Sequence, residues 1–362
     1  MHERLEALSR AIAAGVAEAD TEEAFPAAGF AELAAYGVVG DPPIGPGETG
    51  SLLRVLAAVG RGDLSTGRIF EGHVNAMILV DQHGTASQRS EWLAEARSGR
   101  LFGVWNTDMP DAPLRWEAGV LSGGKNFASG VDGLSRAIVT VPDEAGRLML
   151  MVPLEGLPVD RSWWKPLGMR ASGSHLVDFT GIEPAPDWFL GAPGVYVAEP
   201  WFGGGAIRFA AVHVGGMHAV FDVALEHLVR TGRAEDPYQA HRIARMGIAV
   251  ETGYAWLDRA AEAWDEAVLA GGEGPAAARL TATANTTRSA VEAAAMTVLE
   301  EAERAVGAGG FIAPHRLERL VRDLRTYLRQ PNPDGALRAA GVAVAKGEWQ
   351  PGLAGPDKGR PA

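Results

Sequence analysis

Gly307-Ala308-Gly309-Gly310-Phe311, followed by Arg316-Leu317-Glu318-Arg319 and Arg322-Asp323-Leu324-Arg325-Thr326, closes a long helical run, and this stretch decides the fold. Three glycines in four positions let the backbone approach a neighbour where a Cβ would not fit. Upstream, helical periodicity fills Gly203 to Arg230, Pro237 to Ala270 and Pro275 to Val306, divided by Gly/Pro/Asp-rich loops. That pattern predicts an antiparallel helical bundle over 199–347, with a Gly/Pro-rich flexible tail over 348–362. Gly203-Gly204-Gly205 opens the bundle and matches no phosphate-binding spacing, so it is read as easing close packing.

Before the bundle the period changes. From Leu101 to about Val197, short apolar runs such as Ala137-Ile138-Val139-Thr140-Val141 and Leu148-Met149-Leu150-Met151-Val152 alternate with Gly, Pro and Asp, which predicts a β domain over 100–198. Residues 1–99 return to helix. Leu5, Leu8, Ile12 and Val16 share one face, Asp63-Leu64-Ser65-Thr66 opens a helix with capping residues, and Phe70, His73, Ala76, Met77 and Val80 form a stripe. Thr85 to Ala96 reads as a further helix.

The chain has 362 residues, 47% hydrophobic and 22% charged, enough to bury a large core divided among subdomains. A formal charge of -12 without a Lys/Arg run disfavours nucleic acid as a partner. Cys 0 excludes disulfides, thiolate metal sites and a cysteine nucleophile, and fits a cytoplasmic location. The charged start Met1-His2-Glu3-Arg4 is unlike a signal peptide, and the apolar run Ala206 to Leu228 is interrupted by Arg208, His213 and His218, so no membrane span is expected. P-loop, Gly-x-Ser-x-Gly and His-Glu-x-x-His motifs are missing, and no metal is expected. The spacing of His213 and His218 points to core or capping roles.

Helical, then β, then helical resembles the acyl-CoA dehydrogenase superfamily of flavoenzymes, from roughly Ala57 to Gly341. Four stretches carry the likeness. Leu79-Val80, His83-Gly84-Thr85, Gln88 and Trp92-Leu93 resemble the lead into the first strand. Val104-Trp105-Asn106-Thr107-Asp108 resembles the segment whose backbone and hydroxyl meet the flavin's pyrimidine edge, which implies cofactor contacts for Val104, Asn106 and Thr107. Gly123-Gly124-Lys125-Asn126-Phe127-Ala128-Ser129-Gly130 resembles Gly-x-Lys-x-Trp-x-Thr, with Phe127 for Trp and Ser129 for Thr. The resemblance implies an aromatic face on the isoalloxazine and a hydroxyl toward its ring nitrogen. Pro166-Leu167-Gly168-Met169-Arg170-Ala171-Ser172-Gly173-Ser174 matches a strand crossing the β domain. Read without the family, Thr107 is a strand residue, Phe127 a hairpin core residue and Arg170 a surface ion-pair partner.

In the bundle, Gly232-Arg233 with Gln239 resembles an Arg and Gln at a helix start, where the Arg reaches the flavin pyrophosphate of a neighbouring subunit. Gly307, Gly309 and Gly310 resemble the turn lying against flavin adenine dinucleotide (FAD), whereas Arg304 stands where a Gln would touch it. The resemblance therefore implies an α+β fold with an N-terminal helical domain, a central β-barrel or sandwich and a C-terminal antiparallel helical bundle. It also implies bound FAD and a homodimer or homotetramer.

Dehydrogenases of the family use a Glu to take the proton α to a thioester while hydride leaves for flavin. Counting forward from Arg322-Asp323, the resemblance puts that position on Pro331, and the alternative position beside Arg208 falls on Ile207. Asp334, in the turn Arg329-Gln330-Pro331-Asn332-Pro333-Asp334, is the nearest carboxylate and the candidate catalytic residue; otherwise it is a turn Asp. The first expectation is an FAD-dependent oxidoreductase oxidising an acyl-CoA or similar acyl substrate at a CH–CH bond. The alternative is a flavin monooxygenase of the same superfamily, which needs no such base and whose last helices carry a similar Arg-Asp-x-Arg-Thr run. A non-catalytic interaction protein on this fold is the third.

Overall fold

The computed structural model describes residues 2–352. Of the tail expected to be flexible, 353–362 lie outside the described residues. Six helices come first: α1 (His2–Ala14), α2 (Val16–Glu22), α3 (Ala27–Tyr36), α4 (Thr49–Gly62), α5 (Leu64–His83) and α6 (Ala86–Arg97). The cap anticipated at Asp63 is present, and a second one joins it. The Asp63 carboxylate accepts the Thr66 N–H at the start of α5, and Thr85 and Gln88 form a reciprocal capping box at the start of α6.

Eight strands follow. β1 (Phe102–Trp105) pairs in parallel with β5 (Arg136–Val141), which pairs antiparallel with β6 (Leu148–Pro153). β4 (Gly124–Ala128) pairs with β8 (His175–Asp178), which also pairs with β7 (Val159–Asp160), while β2 (Arg115–Glu117) and β3 (Val120–Ser122) make a hairpin. Every residue of β5 from Ala137 on is buried, as a strand covered on both faces must be.

The Pro166–Ser174 stretch departs from expectation. Only β8, after it, is strand; Arg170–Ser172 forms a short 3-10 turn between Met169 (φ 63°) and Gly173 (φ 49°), which cannot lie in a pleated strand. The turn is fastened from outside, because Asp323 accepts the Met169 N–H at 2.6 Å.

The bundle comprises α7 (Trp201–Gly204), α8 (Ala206–Arg230), α9 (Pro237–Leu269), α10 (Gly274–Val306), α11 (Arg316–Tyr327) and α12 (Pro333–Ala345). α8 crosses α4 at glycine. A Cβ on Gly215 would stand 2.0 Å from the Ala57 carbonyl oxygen, and one on Gly60 2.4 Å from that of Val212. This crossing joins the N-terminal helices to the bundle and brings α5 alongside α8. Among the described residues no helix is long and apolar enough to cross a membrane, and no cluster of His, Cys, Asp and Glu could hold a metal.

Candidate active site

A cleft of about 780 Å³ opens where α5, the end of β1, β4, α8 and the start of α12 converge. α5 serves two masters. Phe70, His73, Val74, Met77 and Val80 face the core, while Arg68, Glu71, Asn75, Ile78 and Gln82 line the cleft. The two sets are offset along one 3.6-residue period, so a single helix supplies a packing stripe and a chemical one.

On the β side the cleft is lined by Val104, Trp105, Asn106, Thr107, Asn126 and Phe127. Lys125 holds this edge. Its buried ammonium donates to Asp108 at 2.5 Å and to the carbonyls of Thr140 at 2.6 Å and Asn106 at 3.2 Å, although burial lowers its pKa. Asn106 is fixed too, its Oδ1 accepting from Thr140 at 2.7 Å and Arg147 at 3.0 Å. Thr107 is exposed, and its hydroxyl makes no hydrogen bond within the described residues. Buried Asn126 leaves Oδ1 without a partner. Phe127 sits at φ 50°, an unusual conformation for an aromatic residue, with its half-buried ring edge-on to Trp163 at 5.2 Å.

The sequence-derived candidates separate into two groups. Val104, Asn106, Thr107 and Phe127 line the cleft. Ser129 is buried beside it, bonded to Ser174 at 2.8 Å. Arg233 is exposed in the loop before α9, and Gln239 is buried in α9 with Oε1 unpartnered; neither lines the cleft. Gly307, Gly309 and Gly310 form the turn after α10, where Gly309 faces open space and Gly310 packs on Val306 and Leu317, away from the cleft. Asp334 is exposed in the first turn of α12 and faces solvent, whereas Pro331 and Asn332 line the cleft. Ile207 is buried and does not line it.

Pattern reading did not single out the polar cluster on the helical side. Arg68 bonds Glu71 at 2.9 Å, Asn75 donates to Glu71, and Arg208 on α8 donates to Asn75 while lying 4.9 Å from the Trp264 ring centroid. The spacing Arg68, Glu71, Asn75, i to i+3 to i+7 along one side of α5, was the available signal. Burial lowers the Arg208 pKa to about 10 and raises that of Tyr196, also in the lining, to about 12. Tyr327 closes the wall with a buried hydroxyl that has no partner. Behind it, His213 packs edge-on at 4.4 Å with both ring nitrogens unpartnered, its pKa pushed down to about 3 by burial. His218 is bonded to the Tyr254 hydroxyl at 2.9 Å, a structural role.

Two carboxylates line the cleft among the described residues, Glu71 and Glu199. Both oxygens of Glu71 are engaged, by Arg68 and Asn75. Glu199 is exposed and accepts the Gly203 N–H at 3.0 Å.

Comparison with known proteins places this geometry. Residues 5–100 match the model for the acyl-CoA dehydrogenase N-terminal domain, and residues 192–328 that for the acyl-CoA dehydrogenase C-terminal domain. Dibenzothiophene monooxygenase of Rhodococcus erythropolis is 24% identical over 317 residues, covering 76% of this chain and 75% of that one. Short-chain-specific acyl-CoA dehydrogenase of Clostridium acetobutylicum is 25% identical over 345 residues, covering 85% and 87%. FMN-bound TdsC from Paenibacillus sp. A11-2 superposes with a TM-score of 0.80 at 19% identity, over 95% of this chain and 96% of that one.

Proposed function

The chain belongs to the acyl-CoA dehydrogenase superfamily, and from that premise we propose that it is a flavin-dependent monooxygenase, using reduced flavin and oxygen on a small organic substrate. One observation carries the choice over dehydrogenation: among the described residues, the stretch 329–334, where the dehydrogenase Glu is expected, puts no carboxylate into the cleft lining. Pro331, the position reached by counting forward from Arg322-Asp323, lines the cleft with Asn332, and Asp334 is exposed outside the lining; Glu71 is held by Arg68 and Asn75, and exposed Glu199 accepts the Gly203 N–H through one oxygen. Abstraction of an α-proton requires a base within hydrogen-bond reach of it. Oxygen transfer from reduced flavin has no such requirement. The dibenzothiophene monooxygenases among the relatives support the same reading.

The residues present fit a flavin. The free Thr107 hydroxyl and the unpartnered Asn126 Oδ1 offer hydrogen bonds to the polar edge of an isoalloxazine, and the Phe127 ring offers it an apolar face. Such a flavin would supply the redox chemistry; this chain's part is to hold the ring, keep water from it and orient the substrate on the α5 and α8 side. The ring is common to FMN and FAD. If the cofactor is FAD, Arg233, Gln239, Gly307, Gly309 and Gly310, which stand outside this cleft, would serve the dinucleotide of a neighbouring copy in a homodimer or homotetramer. The lack of cysteine supports a cytoplasmic location for this chemistry.

The test is isotopic. Protein supplied with chemically reduced flavin, oxygen-18 gas and aromatic or heteroatom substrates such as indole and dibenzothiophene should place label in a product. A panel of such substrates giving no labelled product, only reoxidised flavin, would overturn the proposal.

A further inference from the structure

The cleft carries a charge that its own walls do not neutralise. Its lining holds Arg68, Arg208, Arg288 and Arg329 against Glu71 and Glu199, four cations and two anions, in a chain whose formal charge is -12. Three of the arginines are accounted for. Arg68 is paired with Glu71, and Arg288 and Arg329 both bond Glu292 outside the lining. Arg208 is the exception.

Arg208 is 8% exposed, yet among the described residues no carboxylate lies within salt-bridge distance of it. Its hydrogen-bonded partner is a neutral amide oxygen, Asn75 Oδ1, and its remaining support is the Trp264 ring. Glu71, the nearest candidate counterion, is already shared by Arg68 and Asn75. Room for the guanidinium is kept by glycine, since a Cβ on Gly205 would stand 2.8 Å from Nη2. A buried guanidinium has five donors in a planar fork, and leaving it without an anion carries the desolvation penalty of an unpaired buried charge. A fork of this kind matches a carboxylate bidentately. Trp201, Phe202, Phe209 and Trp264 line the same space, so the body of the ligand meets aromatic faces.

We propose that Arg208 is the specificity residue of the cleft, holding the carboxylate of an aromatic acid whose ring lies among these aromatic side chains. The inference rests on the monooxygenase reading for the identity of the substrate, but its test reads binding without turnover. The acid is held at Arg208 on the α8 side, with Asn75 and the Trp264 ring fixing the guanidinium; the β-side residues Thr107, Asn126 and Phe127 are left for the flavin.

The experiment is calorimetric titration of the full-length protein with phenylacetate, 2-naphthoate and indole-3-carboxylate, each against its neutral amide. At least one acid should bind tenfold or more tightly than its amide, and Arg208→Gln should abolish the preference while leaving FMN affinity within about twofold. Asn75→Asp provides an independent arm. It places a carboxylate against Arg208 at the loss of the amide donated to Glu71, so acid binding should fall about tenfold while FMN affinity holds within about twofold. Equal binding of every acid and amide, an acid preference that survives Arg208→Gln, or an Arg208→Gln protein that loses FMN tenfold would each overturn the proposal, the last by assigning the cation to the flavin phosphate. Because no outcome depends on oxygen transfer, failure of the monooxygenase reading leaves these results interpretable.

Discussion

His73 shows how one side chain ties sequence to stability. It is fully buried on α5, where neutral imidazole donates Nε2–H to the Val39 carbonyl at 2.8 Å and accepts the Phe102 N–H at Nδ1 at 3.0 Å. One ring thus joins the loop after α3 to the first residue of β1. Burial lowers its pKa from 6.5 to about 4, so the folded chain refuses a proton that the unfolded chain accepts. The stabilisation is complete above pH 6.5 and is lost as pH falls from 6.5 towards 4; His213 and His218, pushed down to about 3 and 4, add the same sign. The melting temperature should therefore hold steady above pH 7 and fall between pH 6.5 and 4.5. His73→Gln should cost about 1–3 kcal/mol at neutral pH through an unsatisfied partner and should make that fall shallower. An unchanged slope in the variant would show that His73 is not the titrating group. The sequence placed His73 on a core stripe. What it could not give was the polar partners, because Val39 and Phe102 lie 34 and 29 positions away and offer only backbone atoms.

At the scale of elements, the helices were legible because period and caps agree: Asp63 with Thr66 and Thr85 with Gln88 sit where their side chains can reach the first amides. The Pro166–Ser174 stretch was not. Its backbone is decided by Met169 and Gly173 in left-handed conformations and by Asp323, 154 positions away, holding the Met169 amide. Likewise the second face of α5 was hidden behind the first, since Arg68, Glu71 and Asn75 join a cleft cluster only when α8 brings Arg208 against Asn75. The α4–α8 crossing has the plainest consequence. With backbone atoms 2.0 and 2.6 Å from the site of a Cβ, Gly215→Ala has no flexible neighbour to displace, so the helices must part. Chemical denaturation should record a loss of about 1–3 kcal/mol or more. A variant as stable as the parent would mean that the two helices are not so closely apposed.

The whole molecule sets an acidic exterior around a cleft whose lining has more arginine than carboxylate. Such a contrast favours an anionic ligand in the cleft. The candidate cofactor residues divide at this scale. Val104, Asn106, Thr107 and Phe127 gather at one cleft, whereas Arg233, Gln239 and the Gly307–Gly310 turn lie elsewhere on the bundle. Sequence order could not reveal that division, because it depends on how α9 and the turn after α10 are carried away from the β domain. The proposal of oxygen transfer rests on a cleft whose lining, among the described residues, takes no carboxylate from the stretch 329–334, and the visible absorbance of a bound flavin tests it. The protein loaded with oxidised flavin is mixed anaerobically with acyl-CoA esters from short to long chain. The absorbance should stay unchanged with every ester; bleaching by any of them would mean that a base is present after all and that the chain is a dehydrogenase.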